Sequence, residues 1–362
     1  MDDSPTAHDE ASAMLDTPAY AAADATSPLA PTTIQRRAPR AHEVLIDIAF
    51  CGVCHTDLHQ VRDEWGGSIF PMVPGHEIVG HVAEVGTGVT KFKVGDAVGV
   101  GCFVDSCRSC AQCRAGEEQF CEQGMTSTYN AMERDGSAPT YGGYSTRITV
   151  DQDYVLRVPD ALPLDAAAPL LCAGITTYSP LRHFGVKAGD AVAVVGLGGL
   201  GHMAVKFAVA MGARVTVLST SESKREDALK LGAHDFAATR EKGTFKTLAK
   251  TFDFIVDSVS APHDYNAYLS LLKVDGTMIL LGVPDQPAPV AAGSLIMQRR
   301  RLTGSLIGGI RETQEMLDFC AEHGIVSDIE RIGIADINTA YERMLAGDVR
   351  YRFVIDTATL QG

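Results

Sequence analysis

Positive charge is scarce in this chain of 362 residues: 31 lysines and arginines face 45 aspartates and glutamates, for a formal net charge of −14. That balance argues against a nucleic-acid partner, because phosphate-backbone binders present a basic face. Long apolar runs are missing too. No stretch of about 18 to 20 hydrophobic residues occurs, so nothing is expected to span a bilayer. The N-terminus has no basic segment followed by an apolar one, which excludes an ordinary secretory signal. Residues 1–17, acidic at the start and rich in small side chains, are expected to form a disordered extension. The expected compartment is therefore cytoplasmic, where clustered cysteines hold metal more often than they form disulfides.

What the chain does contain is 46% hydrophobic and 21% charged residues, the composition of a globular protein long enough for two domains. From about Ala41 to Val158, short β-type runs (44–49, 94–100, 145–150) alternate with Gly, Cys and His, which indicates an irregular, mostly antiparallel β domain. From about Pro163 to Gly304, short apolar runs (191–195, 215–218, 252–256, 278–281) alternate with helical patterns, which indicates a doubly wound α/β domain with a parallel sheet. A last zone reads as a helix over 312–323 closed by Gly324, followed by a short strand over 353–355.

The first apolar run of the middle zone ends in Gly196-Leu-Gly-Gly-Leu-Gly201, a G-x-G-x-x-G between a strand and a helix. Glycines at Gly196, Gly198 and Gly201 permit a tight turn and let the backbone approach a pyrophosphate at the helix N-terminus. The alternative is an ordinary glycine-rich turn. NAD enzymes place an acidic residue at the end of the next strand to hold the ribose 2′-hydroxyl. Here that end reads Ser219-Thr-Ser221, followed by Glu222, Ser223, Lys224 and Arg225. Small hydroxyl side chains leave room for a 2′-phosphate and Lys224 supplies positive charge, so NADP(H) is favoured. Against this, Lys224 and Arg225 could be a solvated helix start, and an inward Glu222 would repel a phosphate.

Cys107, Cys110, Cys113 and Cys121 lie within fifteen residues at C-x2-C-x2-C-x7-C spacing. Four thiolates on one loop can close a tetrahedron round Zn²⁺ with no open position, a structural site; an iron–sulfur cluster is the competing reading. Cys102 breaks the spacing. A dispersed set comprises Cys54 in Cys54-His-Thr-Asp57, His76 in Gly75-His-Glu77, and Cys172 in Leu170-Leu-Cys-Ala-Gly174. Spacing alone does not join these three.

Taken in order, Cys51-Gly-Val-Cys-His-Thr-Asp-Leu-His59, Pro74-Gly-His-Glu77, the four-cysteine loop, Pro169-Leu-Leu-Cys-Ala-Gly174 and the glycine turn resemble the zinc-containing medium-chain alcohol dehydrogenases. Within that family they resemble the cinnamyl alcohol dehydrogenase branch and its bacterial NADPH-dependent aldehyde reductase relatives. The resemblance runs from about Arg37 onward. It implies a GroES-like zinc-containing catalytic domain over residues 18–162 and 310–362, and a Rossmann NADP-binding domain over residues 163–309. It implies two Zn²⁺ per chain: a catalytic one on Cys54, His76 and Cys172, with Glu77 able to enter the coordination shell, and a structural one on the four-cysteine loop. It further implies a proton relay through Thr56 to His59, and a cofactor site completed by Thr176, Leu197, Gly199, Leu200, Thr220, Gly282, Ser305 and Ile307. A homodimer joined near residues 302–306 is also implied.

Those implications describe hydride transfer between NADP(H) and aldehydes or primary alcohols. Plant cinnamyl enzymes carry a Trp shortly after the fourth structural cysteine, but residues 122–129 here contain none. Trp65, the one tryptophan, is expected at the pocket instead, and the substrate range is expected to be broad. An NAD(H)-dependent polyol dehydrogenase is the rival enzyme, disfavoured by Ser219 to Ser221. A non-catalytic NADP(H)-binding zinc protein is the rival of another class, disfavoured by the joint presence of Cys54, Thr56, His59, His76, Glu77 and Cys172.

Overall fold

The computed structural model describes residues 14–284 and 286–360. It opens with an antiparallel hairpin, β1 (Met14–Ala21) against β2 (Ala30–Arg37). Residues 1–13 of the expected extension lie outside the described residues, whereas Met14–Thr17 are the first half of β1. The reason is a period of two: Thr17, Ala19 and Ala21 turn inward while their neighbours face out. Small side chains carry that alternation with little hydrophobicity, so the composition of the segment reads as an extension.

The first sheet draws on β3 (Glu43–Gly52), β4 (Ile78–Val85) and β5 (Ala97–Val100); β6 (Phe103–Asp105) and β7 (Thr126–Ser127) pair off separately before β8 (Arg147–Asp151) and β9 (Leu156–Arg157) rejoin it. The second sheet is wholly parallel: β10 (Ala191–Val195), β11 (Arg214–Ser219), β12 (Asp235–Ala238), β13 (Phe252–Asp257), β14 (Leu272–Leu280) and β15 (Arg301–Gly304). Its order is β12-β11-β10-β13-β14-β15. The chain starts in the middle, winds outward to β12, and crosses back to β13. Where the winding reverses, between β10 and β13, the carboxyl ends of the strands leave a crevice for a ligand. Val192, Ala193, Val194, Ile255 and Val256 are fully buried without alternation, because helices cover both faces.

The chain then returns to the first sheet. Helix Ile310–His323 ends at Gly324 in the left-handed conformation, and β16 (Ile329–Gly333) and β17 (Arg352–Asp356) complete the order β16-β17-β3-β4-β5-β9, with β8 also on β3. β17 runs antiparallel to β3 with Val354 opposite Gly52, so residues 300 positions apart meet at the end of one sheet. No helix among the described residues is long and apolar enough to cross a membrane.

Where the two sheets meet, His202 on helix Gly201–Ala210 is fully buried, stacked on Tyr351 at 4.8 Å with Nε2 3.1 Å from Ser327 Oγ. Burial, reinforced by the positive charges of Lys206 and Arg352, lowers its pKa to about 3. The unfolded chain binds a proton near pH 6.5, so this group draws stability away as the pH falls from that value toward 3. His202→Gln is expected to flatten the loss of stability between pH 7 and pH 5, where few carboxylates titrate. Denaturant midpoints at the two pH values check this; an unchanged pH slope would remove His202 as the cause.

Candidate active site

The helix His55–Val61 starts at Cys54, and its N-terminal geometry places the first cluster. Asp57, three residues into the motif, points back: Oδ2 accepts the Cys54 amide at 2.9 Å, and Oδ1 accepts the Gly75 amide at 3.1 Å and lies 2.9 Å from His76 Nδ1. One fully buried carboxylate thus ties the helix start to the Pro74–Glu77 loop. Burial opposes the charged form of His76, but Asp57 outweighs it and raises the imidazole pKa well above its ordinary value. With Nδ1 engaged, Nε2 is the nitrogen left for a cation.

Cys172 arrives from the start of helix Ala173–His183. Its Sγ lies 3.9 Å from Cys54 Sγ, and the ligand atoms of Cys54, His76, Glu77 and Cys172 all lie within 4.8 Å of one another. Two thiolates on a tetrahedral zinc, each about 2.3 Å from the metal, stand about 3.8 Å apart. The dispersed set is therefore one cluster with the dimensions of a zinc site. Cys54 is held well below the ordinary thiol pKa by the hydrogen bond from Cys172 and, against burial, by Arg352. Cys172 is pushed well above it by its contacts with Cys102 and Cys54. A buried thiol pair in which one partner resists ionisation is what a divalent cation resolves.

Glu77 is fully buried and burial pushes its carboxyl up to about 7, against the pull of Arg352. Oε1 accepts a short hydrogen bond from Arg352 Nη2, while Oε2 is buried with no partner among the described residues. An orphaned carboxylate oxygen beside two thiols and an imidazole is a fourth donor awaiting a cation. A Cβ at Gly52 would lie 1.9 Å from that oxygen, so only glycine leaves room for it. Removing either partner of the Glu77–Arg352 pair would strand a buried charge, at a cost of about 3–5 kcal/mol.

Sequence reasoning missed both Asp57 and Arg352. Asp57 stands inside the motif and reads as an ordinary helix-start acid. Arg352 lies in β17, far along the chain, and carries no local signal. Yet Arg352 joins the two halves of the site: a Cβ on Gly199 would come within 2.9 Å of its Nη1. The same guanidinium therefore touches the metal-type cluster and the glycine turn.

That turn lies at the carboxyl end of β10. Gly196 has φ 86°, and a Cβ at Gly201 would meet the Gly196 carbonyl at 2.2 Å. Gly198 differs, since a Cβ there would meet nothing within 4 Å. The space over Gly198, between Leu197 and Leu200 in the turn, is open and could admit a pyrophosphate at the helix N-terminus. Ser219 closes β11, and Thr220, Ser221 and Lys224 follow round the corner. Glu222 pairs with Arg225, which lies over the Phe236 ring at 4.8 Å, so Glu222 is neutralised by its neighbour. Gly282 follows β14, Ser305 follows β15, and Ile307 is buried just beyond. The Thr176 amide donates to the Cys172 carbonyl at 2.9 Å, one helical turn from the cluster. These expected cofactor positions all sit at the carboxyl ends of parallel strands or on the facing helix.

Thr56 is half-buried on the helix that begins at Cys54. His59, one turn on, has Nδ1 in a short contact with Glu64 Oε2 and its ring stacked on Trp65 at 4.9 Å. Trp65 is half exposed, so its indole shields the histidine and is not buried in a pocket. Tyr129 stacks on His76 at 5.8 Å.

The four-cysteine loop closes a second cluster. Cys107, Cys110, Cys113 and Cys121 have ligand atoms within 4.8 Å of one another, with Cys107 and Cys113 sulfurs 3.8 Å apart. Backbone amides of Cys107, Cys110 and Cys113 donate to sulfurs at 3.4, 3.3 and 3.4 Å. Amide hydrogen bonds from Ser109 and then Cys110 lower the Cys107 thiol to about 6, while burial raises Cys113 to about 11. The lobe is anchored through Glu118 Oε2, which accepts the Ile310 amide at 3.1 Å, and the Ala115 carbonyl, which accepts from Arg311 at 2.8 Å.

Comparison with known proteins agrees with this geometry. Residues 40–160 match the alcohol dehydrogenase GroES-like domain, and residues 199–322 match the zinc-binding dehydrogenase family. The chain is 63% identical over 344 residues to NADP-dependent alcohol dehydrogenase C 1 of Mycolicibacterium smegmatis, covering 95% of this chain and 98% of the relative. It is 56% identical over 344 residues to aldehyde reductase YahK of Escherichia coli, covering 94% and 98%. The structure of CAD from Helicobacter pylori complexed with NADP(H) superposes with a TM-score of 0.90 at 43% identity, covering 96% of this chain and 99% of that one. Matched in sequence and in fold over nearly its whole length, the chain belongs to the zinc-containing medium-chain alcohol dehydrogenase family.

Proposed function

We propose that this protein is a zinc-dependent, NADPH-preferring alcohol dehydrogenase and aldehyde reductase that transfers hydride between NADP(H) and a broad range of aldehydes or primary alcohols. The observation that carries the reading is Arg352, whose guanidinium binds Glu77 in the four-residue cluster and stands over Gly199 in the dinucleotide turn. Metal-type and cofactor-type sites are thereby parts of one centre. Relatives named for NADP and for aldehyde reduction support it.

Cys54, His76 and Cys172, with Glu77 as the further donor, hold one Zn²⁺; Cys107, Cys110, Cys113 and Cys121 hold a second. When bound, the catalytic ion polarises the substrate carbonyl and the nicotinamide supplies the hydride. The chain's own residues do the rest. Asp57 fixes His76 and the Cys54 amide, so the ligands keep their orientation. Thr56 carries the proton between the substrate oxygen and the outside, and His59 is the terminal donor, steadied by Glu64 behind Nδ1 and by Trp65 on its face. Gly196 to Gly201 take the pyrophosphate, and Ser219, Thr220, Ser221 and Lys224 take the 2′-phosphate. Serine at the end of β11, where an acid would hold a bare ribose, speaks against the NAD(H) polyol reading.

Residues 18–162 and 310–362 act as the catalytic domain and residues 163–309 as the Rossmann domain, with the small aldehyde or alcohol bound between them. β15 is an edge strand flanked by exposed Ile296, Met297 and Leu306, which supports a homodimer formed by pairing two such edges. Nine free cysteines support residence in a reducing cytoplasm.

Reduction of an aromatic aldehyde is expected to run at least about tenfold faster with NADPH than with NADH at equal subsaturating concentration, the size of one charge-assisted contact. Initial rates check this, and a preference for NADH would overturn the cofactor assignment. Elemental analysis is expected to find two zinc ions per chain. Asp57→Asn should weaken the catalytic ion about ten- to hundredfold, read as its selective loss on dialysis against a chelator while the other ion stays. A Cys54→Ser protein that kept both ions and full activity would sink the ligand assignment.

A further inference from the structure

Resting on the NADP(H) reading above, we propose that Arg350, delivered from the far end of the chain, is a second cationic ligand of the cofactor's 2′-phosphate and a determinant of NADP over NAD. The corner after β11 is lined by Ser219, Thr220, Ser221 and Ser223, and the local sequence offers two cations to it, Lys224 and Arg225. Arg225 is committed elsewhere: it pairs with Glu222, donates to the Phe236 carbonyl at 3.2 Å and covers the Phe236 ring. Lys224 enters no ion pair among the described residues. By local sequence, one ammonium would face a phosphate dianion alone.

Arg350 changes that. It precedes β17, so it belongs to the part of the chain that has returned to the first sheet, yet its Nε donates to Asp227 Oδ2 at 3.0 Å. Asp227 lies one helical turn after Lys224, on helix Arg225–Lys230, so the guanidinium stands at the same corner as the ammonium. The two cations sense each other: after burial, the charge of Arg350 is what lowers the Lys224 pKa. Lys224 and Arg350 bring two positive charges to the single carboxylate of Asp227, of which only Arg350 pairs with it, and one positive charge is left in excess once Glu222 and Arg225 cancel. The backbone amide of Arg350 is held by Glu330 Oε1 at 3.1 Å, which fixes the approach of the side chain. Its Nε is used, whereas neither Nη carries a hydrogen bond among the described residues. The fork can therefore keep Asp227 and still present two N–H groups to phosphate oxygens, the geometry in which arginine surpasses lysine. A ribose bearing only a 2′-hydroxyl offers nothing to neutralise that surplus charge; a phosphate monoester, at about −1.5 to −2, does.

Calorimetric titration of the full-length protein with 2′,5′-ADP and with 5′-ADP tests this without involving zinc or turnover. The unmodified protein is expected to bind 2′,5′-ADP more tightly. Arg350→Gln should weaken 2′,5′-ADP at least about tenfold and leave 5′-ADP unchanged, with Arg350→Lys restoring part of the loss. Asp227→Asn should tighten 2′,5′-ADP, because it removes the competing carboxylate. Lys224→Gln separates this inference from the reading beneath it. If the unmodified protein does not distinguish the two nucleotides, the NADP(H) reading fails. If it does and Lys224→Gln abolishes the distinction while Arg350→Gln preserves it, the role of Arg350 alone is overturned. Equal weakening of both nucleotides by Arg350→Gln and by Asp227→Asn would make their pair a mere tie between lobes and would equally overturn it.

Discussion

The geometry of the four-donor cluster hangs on the carboxylate of Asp57. Fully buried, it gathers the amides of Cys54 and Gly75 and one nitrogen of His76, and so locks a helix start to a loop some twenty residues later. Without that bond the cluster's cysteine and histidine would be held by two independent segments, each free to move by more than a coordination bond allows. Tyr144 hydroxyl also approaches Oδ2 at 3.4 Å, and the Tyr129 ring covers His76, so the whole arrangement is walled by aromatic side chains. Burying such a charge is tolerable because nearly every lone pair finds a donor.

Within the parallel sheet, β10, β11, β13 and the end of β14 were legible because their central residues are buried and run as apolar stretches, whereas the four-residue edge strand β12, with Asp235 exposed, carries no such run. The antiparallel sheet was legible only in outline. β17 pairs with β3 across 300 residues, and no local periodicity announces which strand a C-terminal run will join. β1 escaped because its inward positions, Thr17, Ala19 and Ala21, are small and contrast little in hydrophobicity with neighbours such as Pro18 and Tyr20. For the site, residue types with scarce alternative uses were readable: clustered cysteines, and glycines in a strand–helix turn. Arg352 was not, because an arginine in a sequence reads as surface until a buried acid is found beside it. Glu222 reads as an obstacle to a phosphate and turns out to be neutralised by Arg225, a relation at i to i+3 that a helical turn makes natural.

The global charge and the local charge have opposite signs. A chain of net −14 repels anions at a distance, yet the corner after β11 and the neighbouring glycine turn gather Lys224, Arg350 and Arg352. Cofactor recognition here is thus a local matter, built from a few oriented donors in a low-dielectric seam. The three cations come from two segments, and two of them lie in the last thirteen residues of the chain.

The anchoring of the four-cysteine lobe extends that coupling. Glu118 caps the start of helix Ile310–His323, and Arg311 reaches back to the lobe through the Ala115 carbonyl. This helix begins three residues after Ile307, just beyond the end of β15. The four-cysteine lobe is therefore a bearing for the helix that follows β15. A cation held by the four cysteines would brace the start of this helix together with the loop itself.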